Sequence, residues 1–381
     1  MTGITVAPAE GRAAMRAFEA LPFEAYRGDP AWHPPLRMVQ AQQLDARRNP
    51  ALAHIAPACF LAWRGGRPVG RIAAFANRAH LAHQQDDTGH FGFLDTLPGA
   101  EAAIAPLLSA AEAHLRAQGL AAIAGPFNFS VNEECGLLVE GFETPNMILM
   151  PHGRPGYAAA LEAAGFAKAM DMHAYIHRMG ERFETPPLVA RSRARLERNP
   201  ALTVRQANLR DFETEVALVM DIFNDAWSRN WGFVPLSRAE LHHMARELRP
   251  ILRPGSLWIG MENGHPVTFT LMIPNMNEAT RDLDGRLLPF GWAKVLWRLK
   301  GHRIGTARLP LAGTRPSHQK SMAGMALAAT CFDNCLKDQH DHGVRAVEFS
   351  WVLETNRDLI TLIDLYGAPA YKTYRIYRKA L

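Results

Sequence analysis

The stretch Ala307-Arg-Leu-Pro-Leu-Ala-Gly-Thr314 runs into Arg315-Pro-Ser-His-Gln-Lys-Ser-Met-Ala-Gly324 and then into an Ala-rich apolar run that ends near Gln339. Its apolar start predicts a strand over 303–312, its polar centre a turn, and the Ala/Leu periodicity a helix over 321–339. A strand that ends in a polar turn opening a helix offers an anion unpaired N–H groups and the positive end of the helix dipole. The companion stretch is Glu348-Phe-Ser-Trp-Val-Leu-Glu-Thr-Asn356, followed by an apolar helical run, Gly367 and Tyr371-Lys-Thr-Tyr-Arg-Ile-Tyr377. It predicts a strand over 345–352, a helix over 356–366 and a closing strand over 371–377, so a second strand and helix complete a cleft beside the first.

Working outward, the second half also carries a strand over 202–206, helices over 211–230 and 238–251, and a hairpin over 256–274 turning at Asn263-Gly264. The first half repeats this order. A strand at 4–6 and a helix over 11–26 precede the loop Asp29–Pro35, where three prolines fix φ and remove donors. A hairpin over 58–77 turns at Gly65-Gly66. A strand over 89–95, a helix over 100–118 ended by Gly119, a strand over 121–125, a helix over 156–164 and a strand over 172–177 follow. The chain is therefore expected to be α/β of the α+β kind, with lobes over 1–180 and 201–381. Between them, 181–200 is expected to be a linker, because Pro186-Pro187 interrupts the periodicity.

With 48% apolar and 21% charged residues in 381, each lobe can bury a core of its own. A formal net charge of +5 suits an anionic partner, while the absence of a Lys/Arg block argues against nucleic acid. The start of the chain lacks a basic segment followed by an apolar one, and no apolar run is long enough to span a membrane. Cys59, Cys135, Cys331 and Cys335 show neither metal nor disulfide spacing, which fits a cytoplasmic location. Gln339-His340-Asp341-His342 reads as a solvated helix end, so no metal is expected.

Longer strings carry a specific resemblance. In the second half these are Asn224-Asp-Ala-Trp227, Asn230-Trp-Gly-Phe-Val-Pro235, Pro274-Asn-Met-Asn277, Gly285-Arg-Leu-Leu-Pro289, Glu348 to Asn356, and Tyr374-Arg-Ile-Tyr377. In the first half they are Asp29 to Arg37 and Gly125-Pro-Phe-Asn-Phe-Ser130 with Asn132, Glu133 and Cys135. Together they resemble a group of bacterial tandem proteins of the GNAT acyltransferase superfamily, a group that includes the bacterial ceramide synthases. The resemblance implies two GNAT-like lobes, each a mixed, largely antiparallel sheet flanked by helices. It also implies acyl transfer from an acyl-CoA, acetyl or long-chain, to an amine. It leaves the acceptor open between a lipid amine such as a sphingoid base and a small soluble amine, and a binding protein that has lost the chemistry remains a third reading.

The residues expected to serve that chemistry follow from the superfamily pattern. Its pyrophosphate turn, Arg/Gln-x-x-Gly-x-Gly/Ala, falls on Gln319, Lys320, Ser321, Met322, Ala323 and Gly324, with Met322 in place of the first glycine. Ala312, Gly313 and Thr314 would supply a backbone donor to the thioester carbonyl. Asn356 would touch the pantetheine arm; the alternative is a helix N-cap. Glu348 and Glu354, read as alternating on one strand face with Ser350 between, are candidate bases; the alternative is a structural carboxylate paired with Arg345 or Arg375. The superfamily's tyrosine acid falls on Ile363, which leaves Tyr366, one turn on, as the candidate. Asn128, Asn132 and Glu133 lie where the first lobe's cofactor turn is expected. They lack the turn pattern, so that lobe is read as degenerate, and they would line an acceptor cleft or be bonded loop residues. Trp227, Asn230, Trp231 and Trp351 are further acceptor candidates. The run 290–303 sets Trp292, Val295, Leu296 and Leu299 at helical spacing among Lys294, Arg298 and Lys300. It suits either core packing or peripheral association with an anionic inner-membrane surface.

Overall fold

Two tight hairpins set the strand frame of both halves, and the same turn chemistry makes each. In the first, Arg64 pairs with Arg67 across Gly65 and Gly66, whose φ angles of 57° and 77° suit a two-residue type I′ turn. In the second, Glu262 pairs with His265 across Asn263 and Gly264, at 50° and 78°. The computed structural model describes residues 3–301 and 304–381, so the parts of the expected strand 303–312 and helix 290–303 that fall on His302 and Arg303 lie outside the described residues. The chain divides into a first unit of 1–172, 280–288 and 372–381 and a second unit of 173–279 and 289–371.

In chain order the first unit carries β1 (Thr5–Pro8), α1 (Gly11–Ala25), α2 (Arg37–Gln43), β2 (Ala58–Arg64), β3 (Arg67–Phe75), α3 (Arg78–Gln84), β4 (Thr88–Thr96), α4 (Ile104–Ala117), β5 (Ala122–Gly125), β6 (Leu137–Glu140), α5 (Tyr157–Ala163) and the start of β7 (Ala167–Arg178). Strands β1 to β4 are antiparallel neighbours, and β5 adds to β4 in parallel. The C-terminal strand Ala370–Ala380 pairs antiparallel with both β5 and β6, so residues 372–381 belong to this sheet although they end the chain. Helix α4 buries Ile104, Leu107, Leu108, Ala111 and Leu115 at helical spacing, and Gly70 of β3 makes room for Leu107, whose Cδ1 would lie 3.0 Å from a Cβ there. Burial of each such Leu contributes about 1.5–3 kcal/mol. Buried Arg71 joins α1 to β4, donating to Asp95 at 2.8 Å and to the Phe18 carbonyl at 3.0 Å.

The second unit carries the end of β7, then α6 (Pro187–Leu196), β8 (Leu202–Gln206), α7 (Phe212–Trp227), α8 (Arg238–Leu248), β9 (Leu257–Glu262), β10 (His265–Pro274), α9 (Met276–Thr280), α10 (Gly291–Lys300), β11 (Thr306–Thr314), α11 (Met322–Asp341), β12 (Ala346–Leu353), α12 (Arg357–Asp364) and the start of β13 (Ala370–Ala380). Strands β8, β9, β10 and β11 are antiparallel neighbours, and β12 joins β11 in parallel. Helix α11 buries Leu327, Cys331, Phe332, Cys335 and Leu336, and its Phe332 and Cys335 share one core with Leu309, Val347 and Phe349 of the sheet. Burial pushes both thiols up, as expected of inert core cysteines. The segment 181–200 is more than a tether. Pro187 opens α6, Val189 enters the same core, and Arg193 pairs with buried Asp333 at 2.6 Å. A proline at the first helical position starts a helix, so the doubled proline marks a beginning and not a break.

Segment 280–288 is held in the first unit at Gly285, where a Cβ would lie 2.4 Å from the Pro35 carbonyl oxygen and φ is +71°. Gly285→Ala is expected to destabilise the protein by about 3 kcal/mol, read as a lower denaturation midpoint. A midpoint within error of the parent would contradict the close packing of this segment on Pro35.

Candidate functional site

Strand β11 and strand β12 separate early. Their parallel ladder covers only Thr306↔Ala346 through Leu309↔Phe349, yet β11 continues to Thr314 and β12 to Leu353. Pro310, next after the last paired residue, has no N–H to give the ladder. On the other side of β11, the register with β10 shifts between Leu271 and Ile273. Arg308 accounts for the carbonyl left at the point of divergence: its Nη2 donates to Ser350 O at 3.1 Å and its Nε to Ser350 Oγ at 2.8 Å. The result is a notch whose edges are residues 310–314 and 350–353.

One edge of the notch leads into the start of α11. Ser321 is the N-cap: its Oγ accepts from Gly324 N at 2.9 Å and donates to His318 O at 3.0 Å. Met322 N and Ala323 N, the first two helical donors, meet no acceptor among the described residues. Met322 is 69% exposed, so its side chain projects into solvent and does not fill the turn. Lys320 is exposed beside it. Gly324 is needed for packing: a Cβ there would lie 2.1 Å from His318 O. Gln319 closes the turn by donating to Thr314 O at 2.9 Å, and Arg315 ties it to α7 through Asp221 and Asp225, the latter at 3.1 Å. An anion at this helix start would meet two free N–H groups, a Lys and no carboxylate in the first turn.

The other expected residues divide into those brought to the notch and those kept from it. Trp227 donates from Nε1 to Ala312 O at 3.0 Å, and its ring meets Trp351 edge-on with centroids 5.6 Å apart. Gly313 O and Thr314 Oγ1 are both tied to Thr268 Oγ1 at 2.8 Å. Asn230 and Trp231 lie half-buried in the turn just after α7. Asn356 caps α12, its Oδ1 accepting from Leu359 N at 3.2 Å, as the alternative reading held. Glu354 does not share a strand face with Glu348, because β12 ends at Leu353 and Glu354 sits in the following turn.

Tyr366 does not reach the notch either. It lies beyond the end of α12, is 7% exposed, and donates to Asp333 Oδ1 at 3.0 Å within the core. Burial first and the Asp333 carboxyl second push its phenol far up, so it is a poor proton donor to a thiolate. Ile363 is fully buried.

Glu348 pairs with neither Arg345 nor Arg375. Arg375 is engaged by Asp171 at 2.7 Å, in the first unit, and Arg345 donates to backbone carbonyls. Glu348 instead accepts from Ser350 Oγ on one carboxylate oxygen and from the Tyr371 phenol on the other, with Arg308 Nε 3.9 Å away. Glu348, Ser350 and Arg308 are 0%, 3% and 3% exposed, while Tyr371 is half-buried. Sequence reasoning missed Arg308 and Tyr371. The available signals were an arginine inside an apolar strand two residues before a proline, and a tyrosine at the mouth of the last strand.

The first unit repeats the architecture with the notch filled. Its parallel ladder runs Thr88↔Ala122 to His90↔Ala124, and the chain then stays on β4: Phe127 N donates to Phe91 O at 2.8 Å. A Cβ on Gly92 would lie 1.7 Å from Phe127 O. Asn128 Oδ1 accepts from Phe93 N at 3.0 Å, taking the donor that an open notch would expose. Element order also corrects the expected placement of Asn128, Asn132 and Glu133. They follow β5, whereas the turn equivalent to 315–321 is the β4–α4 connection, 97–103. That turn carries Glu101, whose carboxylate holds Gly99 N at 3.1 Å and would repel an anion. Asn132 N and Glu133 N both donate to Ser130, at 3.1 and 3.2 Å, so these are bonded loop residues.

Among the described residues, no cluster of three or more His, Cys, Asp or Glu is placed to hold a metal ion. An opening of about 370 Å³ bounded by His177, Met179 and Phe183 touches neither β11 nor the start of α11.

No family model matches the chain. Among curated proteins, it is 39% identical over 382 residues to a bacterial ceramide synthase of Caulobacter vibrioides, covering 99% of this chain and 98% of the relative. It is 38% identical over 367 residues to protein YghO of Escherichia coli, covering 96% and 93%. Among solved structures, a tandem GNAT protein from the clavulanic acid biosynthesis pathway matches with a TM-score of 0.57 at 14% identity, covering 99% of this chain and 98% of that one. A GCN5-related N-acetyltransferase from Sphaerobacter thermophilus matches at 0.53 and 13%, covering 99% and 95%. At these identities the structural likeness shows the fold.

Tyr366→Phe should lower the denaturation midpoint by the equivalent of about 1–3 kcal/mol, since the buried Asp333 carboxyl loses a donor. An unchanged midpoint would mean that the hydroxyl is not committed to Asp333 and is free to act elsewhere.

Proposed function

Because this chain belongs to the tandem GNAT-fold family that includes the bacterial ceramide synthase of Caulobacter vibrioides, we propose that it transfers an acyl group from an acyl-CoA to the amine of a lipid. The observation that carries this reading is the open notch between β11 and β12 beside a helix start with unspent donors, set against the filled notch of the first unit. On this reading the pyrophosphate rests on Met322 N and Ala323 N with Lys320 alongside, and the thioester arm lies along residues 310–314. Trp227 and Trp351 then form an apolar wall that excludes water from the reacting carbonyl. Transfer needs the acceptor ammonium to lose a proton before its nitrogen can attack the thioester carbon; the thiolate leaves and is protonated. Glu348 is a carboxylate on β12 one residue before the strands part.

The choice of a lipid acceptor rests on the relative's name and on α10. Only Val295 of that helix is buried; Trp292, Leu296 and Trp297 are 50%, 45% and 56% exposed, and Phe290 just before it 78%. Its apolar residues are therefore not spent on a core, as a helix covering a sheet would spend them. Lys294 and Lys300 are exposed on the same helix, while Arg298 donates to the Ala279 carbonyl and anchors it. Exposed Trp beside Lys suits the interface of an anionic membrane, where each Lys contributes about 1 kcal/mol. No helix among the described residues is long and apolar enough to cross a membrane, so the contact proposed is peripheral.

The test is purified protein with a long-chain acyl-CoA and a sphingoid base in anionic vesicles, with the N-acyl product read by mass spectrometry. The expected product is the amide. Replacing Lys294 and Lys300 by Glu together with Trp292 and Trp297 by Ser should abolish vesicle binding and cut turnover at least tenfold, with stabilisation by acyl-CoA retained. Acylation confined to small soluble amines would overturn the lipid acceptor, and stabilisation by acyl-CoA with no transfer to any amine would overturn the enzymatic reading.

A further inference from the structure

The four-residue network at the apex of the notch has one member that reaches solvent. Glu348 and Arg308 face each other across the last-but-one pair of the ladder, one residue before the strands part. On β12 the side chains of Val347 and Phe349 enter the core, so Glu348 and Ser350 point to the opposite face. Both oxygens of Glu348 are engaged, one by Ser350 Oγ and one by the Tyr371 phenol. Ser350 is itself oriented by Arg308 Nε at 2.8 Å, so its hydroxyl proton is directed at the carboxylate. Glu348, Ser350 and Arg308 are buried, and Tyr371 is half-buried. A fully buried carboxylate cannot itself touch an incoming ammonium, whereas a phenol bonded to it and partly exposed can.

We infer that Tyr371 is a catalytic residue, the outer end of a two-residue proton relay that ends on Glu348. This rests on the acyl-transfer reading above. In the relay the phenol oxygen takes a proton from the acceptor ammonium as its own proton passes to the Glu348 carboxylate. The phenol ends neutral, the carboxyl ends protonated and the amine ends neutral. The amine nitrogen then forms its bond to the thioester carbon, the carbon–sulfur bond breaks, and the thiolate takes the stored proton back along the same path. A second proton of the former ammonium leaves to solvent, and the third stays on the nitrogen of the amide formed. Arg308 and Ser350 are positioning residues: they fix the carboxylate and do not meet substrate.

Tyr371→Phe keeps the ring and removes only the relay oxygen. Its kcat toward an alkyl ammonium acceptor is expected to fall about 100-fold, with stabilisation by acyl-CoA unchanged. Toward hydroxylamine, which is neutral at the assay pH and needs no base, the fall should be no more than a few-fold. Glu348→Gln, a second variant with Tyr371 intact, should show the same contrast between acceptors. Equal losses with both acceptors would assign Tyr371 a structural role and overturn the relay, as would a Tyr371→Phe rate within twofold of the parent. A parent protein that acylates no amine at all would overturn the acyl-transfer reading, and the relay with it.

Discussion

The early end of the β11–β12 ladder is the constraint on which the rest of the second unit depends. Two adjacent parallel strands normally satisfy each other along their length, and strands that separate leave backbone groups that must be bonded or face a ligand. Here Pro310 withholds a donor at the point of divergence, and Arg308 supplies one to the orphaned Ser350 carbonyl from a side chain. The same arginine also sets Ser350 against Glu348. One buried side chain therefore both stabilises the opening and orients Ser350 and Glu348 at its apex. Removing it would take from buried Glu348 its ion-pair partner among the described residues, a costly loss for a carboxylate.

The first unit shows what happens to the same architecture when that opening is closed. After β5 the chain remains on β4, Gly92 lets the Phe127 carbonyl come close, and Asn128 spends its side chain on Phe93 N. The helix start that would face a phosphate carries Glu101. Each difference is local, yet together they put internal hydrogen bonds where the second unit has a gap between strands. Two units of similar element order thus reach opposite outcomes through a few residues at the point where two strands part.

Much of this frame was legible in the sequence because it is written in local chemistry. Gly65-Gly66 and Asn263-Gly264 specify their turns, and Ser321 announces the start of α11. What was not legible depends on where an element stops or which side of it is covered. Period-two alternation put Glu354 beside Glu348, but alternation carries no information on the strand's end at Leu353. Helical spacing put Tyr366 near the notch, whereas α12 ends at Asp364 and the ring turns into the core. Pro186-Pro187 interrupts the periodicity of the sequence, yet helices tolerate proline at their first position and Pro187 opens α6. The amphipathic α10 looked the same whether its apolar face met a sheet or solvent. Tyr371 stands out at the mouth of the last strand, but its contact with Glu348 joins two strands and is not written in either one.

Hydrogen exchange of the full chain with and without a non-hydrolysable long-chain acyl-CoA tests the central claim most directly. The account predicts new protection at the amides of 311–314 and of Met322 and Ala323, with 91–103 and 126–129 unchanged. Protection at the first unit's residues, or none at the start of α11, would contradict it.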